Sequence, residues 1–205
     1  MKSAEPLRYE VQGRRFASYP LQWNELFSRS APLALEIGCG NGEFLCDWAE
    51  AQPLWNFVGI EISLESAERI QQNIHRRRLN NVRVIRDDAA FVVRELFPEE
   101  SLQQIMMNFP DPWPKTKHRS RRLMRPVFIR TLSAAISRGG IYELITDQEW
   151  YARDAARLFR ESAVFQVEPI EQNPQRPVTT KYERKWRKAG RSIFRLRAIK
   201  QEILP

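Results

Sequence analysis

Short apolar runs alternate with stretches of helical spacing along almost the whole chain, and few folds accept that order. Leu33–Ile37 (LALEI), Asn56–Ile60 (NFVGI), Val82–Arg86, Leu102–Asn108 (LQQIMMN), Ile141–Thr146 and Phe165–Pro169 read as strands, with a final one at Ile193–Ile199. Between them, Gly42–Gln52, a helix opening at Ser63, Ala89–Leu96, Val127–Ser137 and Gln148–Glu161 read as helices. Leu64, Ala67, Ile70 and Ile74 show the helical period most clearly, and Ser63 or Ser66 suits the cap of that helix. The breaks carry turn chemistry at Pro53, at Asn80-Asn81 and at Gly139-Gly140, the glycine pair being expected to end the helix before it. The expected fold is α/β, with a mostly parallel central sheet and helices on both faces. Residues 1–205 are expected to form one domain, with residues 1–30 as a polar N-terminal lead.

A chain of 205 residues, 42% of them hydrophobic, can build one sizeable core without disulfides or metals. Cys39 and Cys46 are too few and too close for a disulfide framework. Neither they nor His75 and His118 fall at zinc-ligand spacing, so no metal is expected. The opening MKSAEPLRYEVQGRRF carries charges where a signal peptide has an apolar run. No stretch nears the roughly 20 apolar residues of a membrane span. A soluble, cytoplasmic protein is therefore expected, monomeric or homodimeric and without a membrane partner. The formal net charge of +8 and a pI near 9.9 fit a phosphate-rich partner, an anionic surface or simply a solvated basic exterior.

The first strand ends in Glu36-Ile37-Gly38-Cys39-Gly40-Asn41-Gly42. Glycines at a strand-to-helix turn let a ligand lie against backbone N–H groups, so Gly38 and Gly40 are candidate cofactor contacts. The spacing is G-x-G-x-G, one residue tighter than the dinucleotide fingerprint. Glu36, two residues before the first glycine, would repel a pyrophosphate but suits the cationic amino group of a methionine moiety. The combination favours S-adenosylmethionine over NAD. Glu61 follows the second strand, where a carboxylate can accept both ribose hydroxyls. Asp88 follows the third, where one can hold an adenine amino group. The bland alternatives are a helix-dipole charge for Glu61 and an N-cap for Asp87 or Asp88, with Asp87 the better cap.

The fourth strand runs into Asn108-Phe109-Pro110-Asp111-Pro112-Trp113-Pro114-Lys115. Residues before proline avoid the right-handed helical region, so Phe109, Asp111 and Trp113 are expected to hold this segment extended and stiff. Asp111 would then be fixed at a strand end beside the methyl donor. EIGCGNG, GIEIS, DDA, NFPDPWPKTKHRSRRL, the Thr146-Asp147 pair and TTKYE, in this order from about Glu36 to Leu196, together resemble the bacterial tRNA (guanine-N7)-methyltransferase family. The proline segment with its basic continuation is the most specific of these elements. The resemblance implies a Rossmann-like class I methyltransferase fold, S-adenosylmethionine as cofactor, tRNA as partner, and methylation of guanine 46 in the variable loop. It puts Glu36, Glu61, Asp88 and Asp111 on cofactor-contacting positions, and Ala89 and Asn108 join Gly38 and Gly40 in that set. It puts Lys115, Asp147, Thr180, Lys181, Tyr182 and Glu183 on substrate-contacting positions. Thr116, where many members have lysine, and Gln148, where asparagine is common, depart from the family pattern.

Guanine N7 has an in-plane lone pair and no proton, so its methylation needs alignment rather than a general base. Positive charge grows on the ring as the bond forms. Asp111, accepting from the N1–H and amino edge, would choose guanine over adenine and strengthen its hold as the ring becomes cationic, which makes it the candidate catalytic residue. Asp147 and Glu183 are second candidates. Two basic loops, 109–125 and 170–192, are expected to face the substrate and to hold phosphates. The alternatives are a methyltransferase acting on another RNA base or a small molecule, and a non-catalytic RNA-binding module.

Overall fold

The computed structural model describes residues 20–114 and 122–202. Its strands are β1 (Leu33–Ile37), β2 (Asn56–Ile60), β3 (Val82–Ile85), β4 (Leu102–Asn108), β5 (Ile136–Thr146), β6 (Phe165–Val167), β7 (Glu171–Gln172) and β8 (Phe194–Lys200). They join in the order β3-β2-β1-β4-β5-β8-β6, with β7 paired to β8 beside this path. Strands β1 to β5 run parallel to one another. Strand β8 enters antiparallel between β5 and β6. The order reverses between β1 and β4, the switch point at which open α/β sheets bind their ligands.

The helices are α1 (Trp23–Phe27), α2 (Glu43–Ala51), α3 (Leu64–Arg76), α4 (Ala89–Leu96), α5 (Pro126–Ala135), α6 (Glu149–Glu161) and α7 (Lys181–Lys188). Every residue of β1, β2 and β3 is buried, as expected of strands covered on both faces. One face packs Leu35, Ile37, Val58, Ile60 and Met107 against α1, α4, α5 and α6. The other packs Ala34, Phe57, Val84 and Met106 against α2 and α3, with Trp186 of α7 alongside. Helix α3 opens where the sequence indicates, with the Ser63 side chain accepting the Ser66 N–H.

The helices and strands differ from the expected ones in four places. Trp23–Phe27 of the polar lead is a helix, its indole stacked on Phe97 at 4.7 Å. Helix α5 stops at Ala135, because Ile136 already pairs in register with Leu102. Gly139-Gly140 therefore sits inside an irregular stretch of β5 instead of ending a helix. The last difference lies in 170–192, expected as a loop: it holds β7 and the whole of α7.

Candidate active site

The register Ile37↔Ile60, Ile37↔Met107, Ile60↔Ile85 and Asn108↔Ile145 brings the carboxyl ends of β1 to β5 to one edge of the sheet. The loops bearing Gly38–Gly42, Glu61, Asp88, Asp111 and Asp147 all leave from that edge. Gly38 and Gly40 take φ values of +72° and +54°, and nothing lies within 4 Å of where a Cβ would stand on either. The turn needs the conformation and leaves its outer side open. Glu61 braces this turn from β2: its carboxylate accepts the Gly40 N–H at 2.8 Å and the Ser63 N–H at 2.9 Å. The next residue, Ile62, keeps 70% of its surface exposed, an apolar group at the crevice that composition alone did not single out. Asp88 is the N-cap of α4 and accepts the Phe91 N–H at 3.0 Å. Asp87, the expected cap, is buried and accepts the Asp88 N–H at 2.6 Å instead. Ala89 is the first residue of α4.

Glu36 is the one charged side chain in LALEI, and it is 2% exposed. Its Oε1 accepts from Asn108 Nδ2 at 2.9 Å. Its Oε2 is buried with no hydrogen-bond partner among the described residues. Burial pushes the carboxyl up to about 8, against the opposing pull of the Asn108 hydrogen bond and the Arg176 charge, while Glu61 adds to the rise. A buried carboxylate oxygen without a donor is costly, so it persists where a ligand supplies the donor. A primary ammonium supplies both the missing hydrogen bond and the opposite charge. The residues present thus fit the amino-acid end of S-adenosylmethionine, with open glycine backbone and the Glu61 carboxylate in line for its nucleoside.

On the acceptor side the proline segment is not extended. Phe109 and Trp113 take φ values of +48° and +42°. The pre-proline rule forbids one region without choosing among the others, and here tertiary contacts choose. The Phe109 N–H donates to Ile145 O at 2.7 Å and its ring stacks on Tyr182 at 6.4 Å, while Trp113 O accepts from the Arg122 guanidinium at 2.9 Å. Positive φ on two bulky residues stores strain of roughly 1–3 kcal/mol each, and such outliers gather at functional sites. Asp111 lies exposed between them.

The TTKYE stretch divides by side. Thr180 is the N-cap of α7 and accepts the Glu183 N–H at 2.9 Å. Glu183 is fully buried, its carboxylate accepting from Arg176 at 2.6 Å and Arg187 at 2.7 Å. These two residues, expected to contact substrate, face inward. Lys181 and Tyr182 face out, the latter 60% exposed. Asp147 is bound by Arg191 at 3.1 Å and by Gln148 at 2.9 Å. Lys115, with most of the basic run after it, lies outside the described residues. Arg176, which joins Asn108 to Glu183, carries no motif or spacing that marks it in the sequence. Among the described residues no group of three or more His, Cys, Asp or Glu is placed to hold a metal ion, and no helix is long and apolar enough to cross a membrane.

A family model described as "Putative methyltransferase" matches residues 30–196. The chain is 44% identical to the tRNA (guanine-N(7)-)-methyltransferase of Thermotoga maritima and 39% identical to that of Thermus thermophilus, over 94% and 91% of its own length. It spans 61% and 60% of the length of these two relatives. It is 38% identical to the tRNA (guanine-N(7)-)-methyltransferase of Leifsonia xyli, covering 90% of this chain and 83% of that one. Among solved structures it superposes on the aminoglycoside resistance methyltransferase NpmB1 with a TM-score of 0.64 at 19% identity, over 87% of this chain and 92% of the other, a likeness of fold. With its acidic, glycine-lined crevice at the switch point of the sheet, the chain belongs to the tRNA (guanine-N(7)-)-methyltransferase family.

Proposed function

We propose that this protein transfers the methyl group of S-adenosylmethionine to N7 of a guanine in tRNA, at guanine 46 of the variable loop. The observation that carries the reading is the buried, unpartnered Oε2 of Glu36 beside the open glycine turn. Glu36 receives the ammonium of the cofactor, Gly38 and Gly40 admit its backbone, Glu61 takes the ribose hydroxyls, and Asp88 with Ala89 meets the adenine. Bound there, S-adenosylmethionine supplies an electrophilic methyl: N7 gives its lone pair to the carbon, and the S–C pair stays with sulfur to leave S-adenosylhomocysteine. No proton moves, so no general base is needed. Asp111 accepts from the N1–H and amino edge of guanine and opposes the charge that develops on the ring. Lys181 and Tyr182, with the basic segment that begins at Lys115, hold the RNA around the base.

The test replaces the nucleophile. A tRNA transcript in which guanosine is replaced by 7-deazaguanosine has a C–H where N7 stood, and it should bind but accept no methyl group. A transcript with guanine 46 changed to adenine should likewise lose transfer. Undiminished methylation of the 7-deaza transcript rules out N7, and undiminished methylation of the second rules out that position.

A further inference from the structure

Arg176 has no part in the scheme above, yet its side chain is only 3% exposed and lies at the centre of the site's buried polar groups. It comes from the Pro174–Pro177 stretch and crosses the face of the sheet that carries Glu36. In register, Glu36 pairs with Met106 and Met106 with Glu143. The guanidinium lies over the next members of that row, 3.6 Å from Met106 Sδ and 3.6 Å from Glu143 Oε1, with the Phe44 ring of α2 at 5.1 Å. Its Nη1 donates to Glu183 Oε2 at 2.6 Å and its Nη2 to Asn108 Oδ1 at 3.1 Å. Asn108 in turn donates to Glu36.

The chemistry of this chain has a direction. A guanidinium only donates, so Asn108 must turn its carbonyl oxygen to Arg176 and has only its NH2 left for Glu36. Without Arg176 the amide is free to flip, and its oxygen then accepts from the neutral Glu36 carboxyl and holds the proton that a bound ammonium must displace. With Arg176 in place, Oε1 of Glu36 is tied down and Oε2 is left to the ligand. Resting on the cofactor reading above, we infer that Arg176 is a positioning residue for the amino-acid end of S-adenosylmethionine: it fixes the Asn108 amide and through it the Glu36 carboxylate, and is itself held by Glu183 in the first turn of α7. The glutamate of TTKYE therefore serves the cofactor pocket from within and does not read the base.

The two halves of the cofactor separate this role from a general structural one. S-Adenosylhomocysteine carries the ammonium; 5′-methylthioadenosine is the same nucleoside thioether without the amino-acid end. Calorimetric titration of the wild type, Arg176→Met and Arg176→Lys with both ligands tests the inference. Arg176→Met should weaken S-adenosylhomocysteine at least about tenfold and leave 5′-methylthioadenosine within about twofold, as loss of a charge-oriented hydrogen bond at one end requires. Arg176→Lys keeps the charge but cannot span Asn108 and Glu183 together. It should weaken S-adenosylhomocysteine by about threefold or more with 5′-methylthioadenosine unchanged, and it decides alone if the methionine variant does not fold. Equal loss of both ligands, or no loss of S-adenosylhomocysteine, overturns the inference. Failure of the wild type to bind S-adenosylhomocysteine is a different result, and it overturns the cofactor reading itself.

Discussion

Burial holds the Glu36 carboxyl at about 8, against 4.5 for an ordinary glutamate. Between those values the folded chain keeps a proton that the unfolded chain has released, so this group lowers stability progressively as pH rises from 4.5 to about 8, and no further beyond. Glu36→Gln removes that burden. It should melt with the wild type near pH 5 and roughly 5 °C or more above it near pH 9, followed by calorimetry, while S-adenosylhomocysteine binding is lost. A lower melting temperature at pH 9 counts against a strained, ligand-seeking carboxyl. A bound ammonium stabilises the ionised acid, so binding below pH 8 must expel a proton. Affinity for S-adenosylhomocysteine should accordingly climb from about pH 6 to about pH 8, by up to roughly tenfold per unit; a flat profile contradicts the pairing. Asp111 is judged by turnover: Asp111→Ala, at saturating tRNA and cofactor, should lose about a hundredfold or more in rate. A near-normal rate removes it from the chemistry.

Helix α7 links the buried Arg176–Asn108–Glu36 chain, through Glu183, to the exposed Lys181 and Tyr182, and its cap is the place to loosen it. Thr180→Ala deletes the acceptor of the Glu183 N–H, a loss of about 1 kcal/mol. It should raise KM for tRNA more than it lowers affinity for S-adenosylhomocysteine, because Lys181 and Tyr182 stand on the first turn. Equal changes contradict this division of sides. The same helix shows why parts of the fold were hidden in the sequence. The strands were legible because LALEI, NFVGI and LQQIMMN bury apolar side chains on both faces, and the misplaced Glu36 in the first marked the site. KYERKWRK inverts the pattern: its buried member is Glu183, made tolerable by Arg176 and Arg187, so no apolar stripe announces a helix. Arg176 was unreadable for a related reason. A lone arginine between prolines has no period, and its meaning comes from partners 68 residues upstream at Asn108 and 7 residues downstream at Glu183. At Phe109 and Trp113 a local rule stated what was forbidden, and packing on Tyr182 and Arg122 supplied the rest.

Among the described residues charge is sorted by place. Acidic groups line the edge where the strands end, while a formal excess of +8 is carried by the chain as a whole, with Lys181, Arg184, Lys185 and Lys188 exposed along α7. A cation at the centre and a polyanion around it match that sorting. Raising salt from about 50 to about 200 mM should cut tRNA affinity by orders of magnitude, because each phosphate contact releases a counterion; a flat response points to a small acceptor. The proposed reaction is defined by the atom that receives the methyl group. Purified protein is incubated with unmodified tRNA and S-adenosylmethionine labelled in its methyl, the RNA is digested to nucleosides, and the labelled product is identified by mass spectrometry. N7-methylguanosine is the predicted product. Label in any other nucleoside, or none in RNA exposed to protein that binds S-adenosylhomocysteine, contradicts the account.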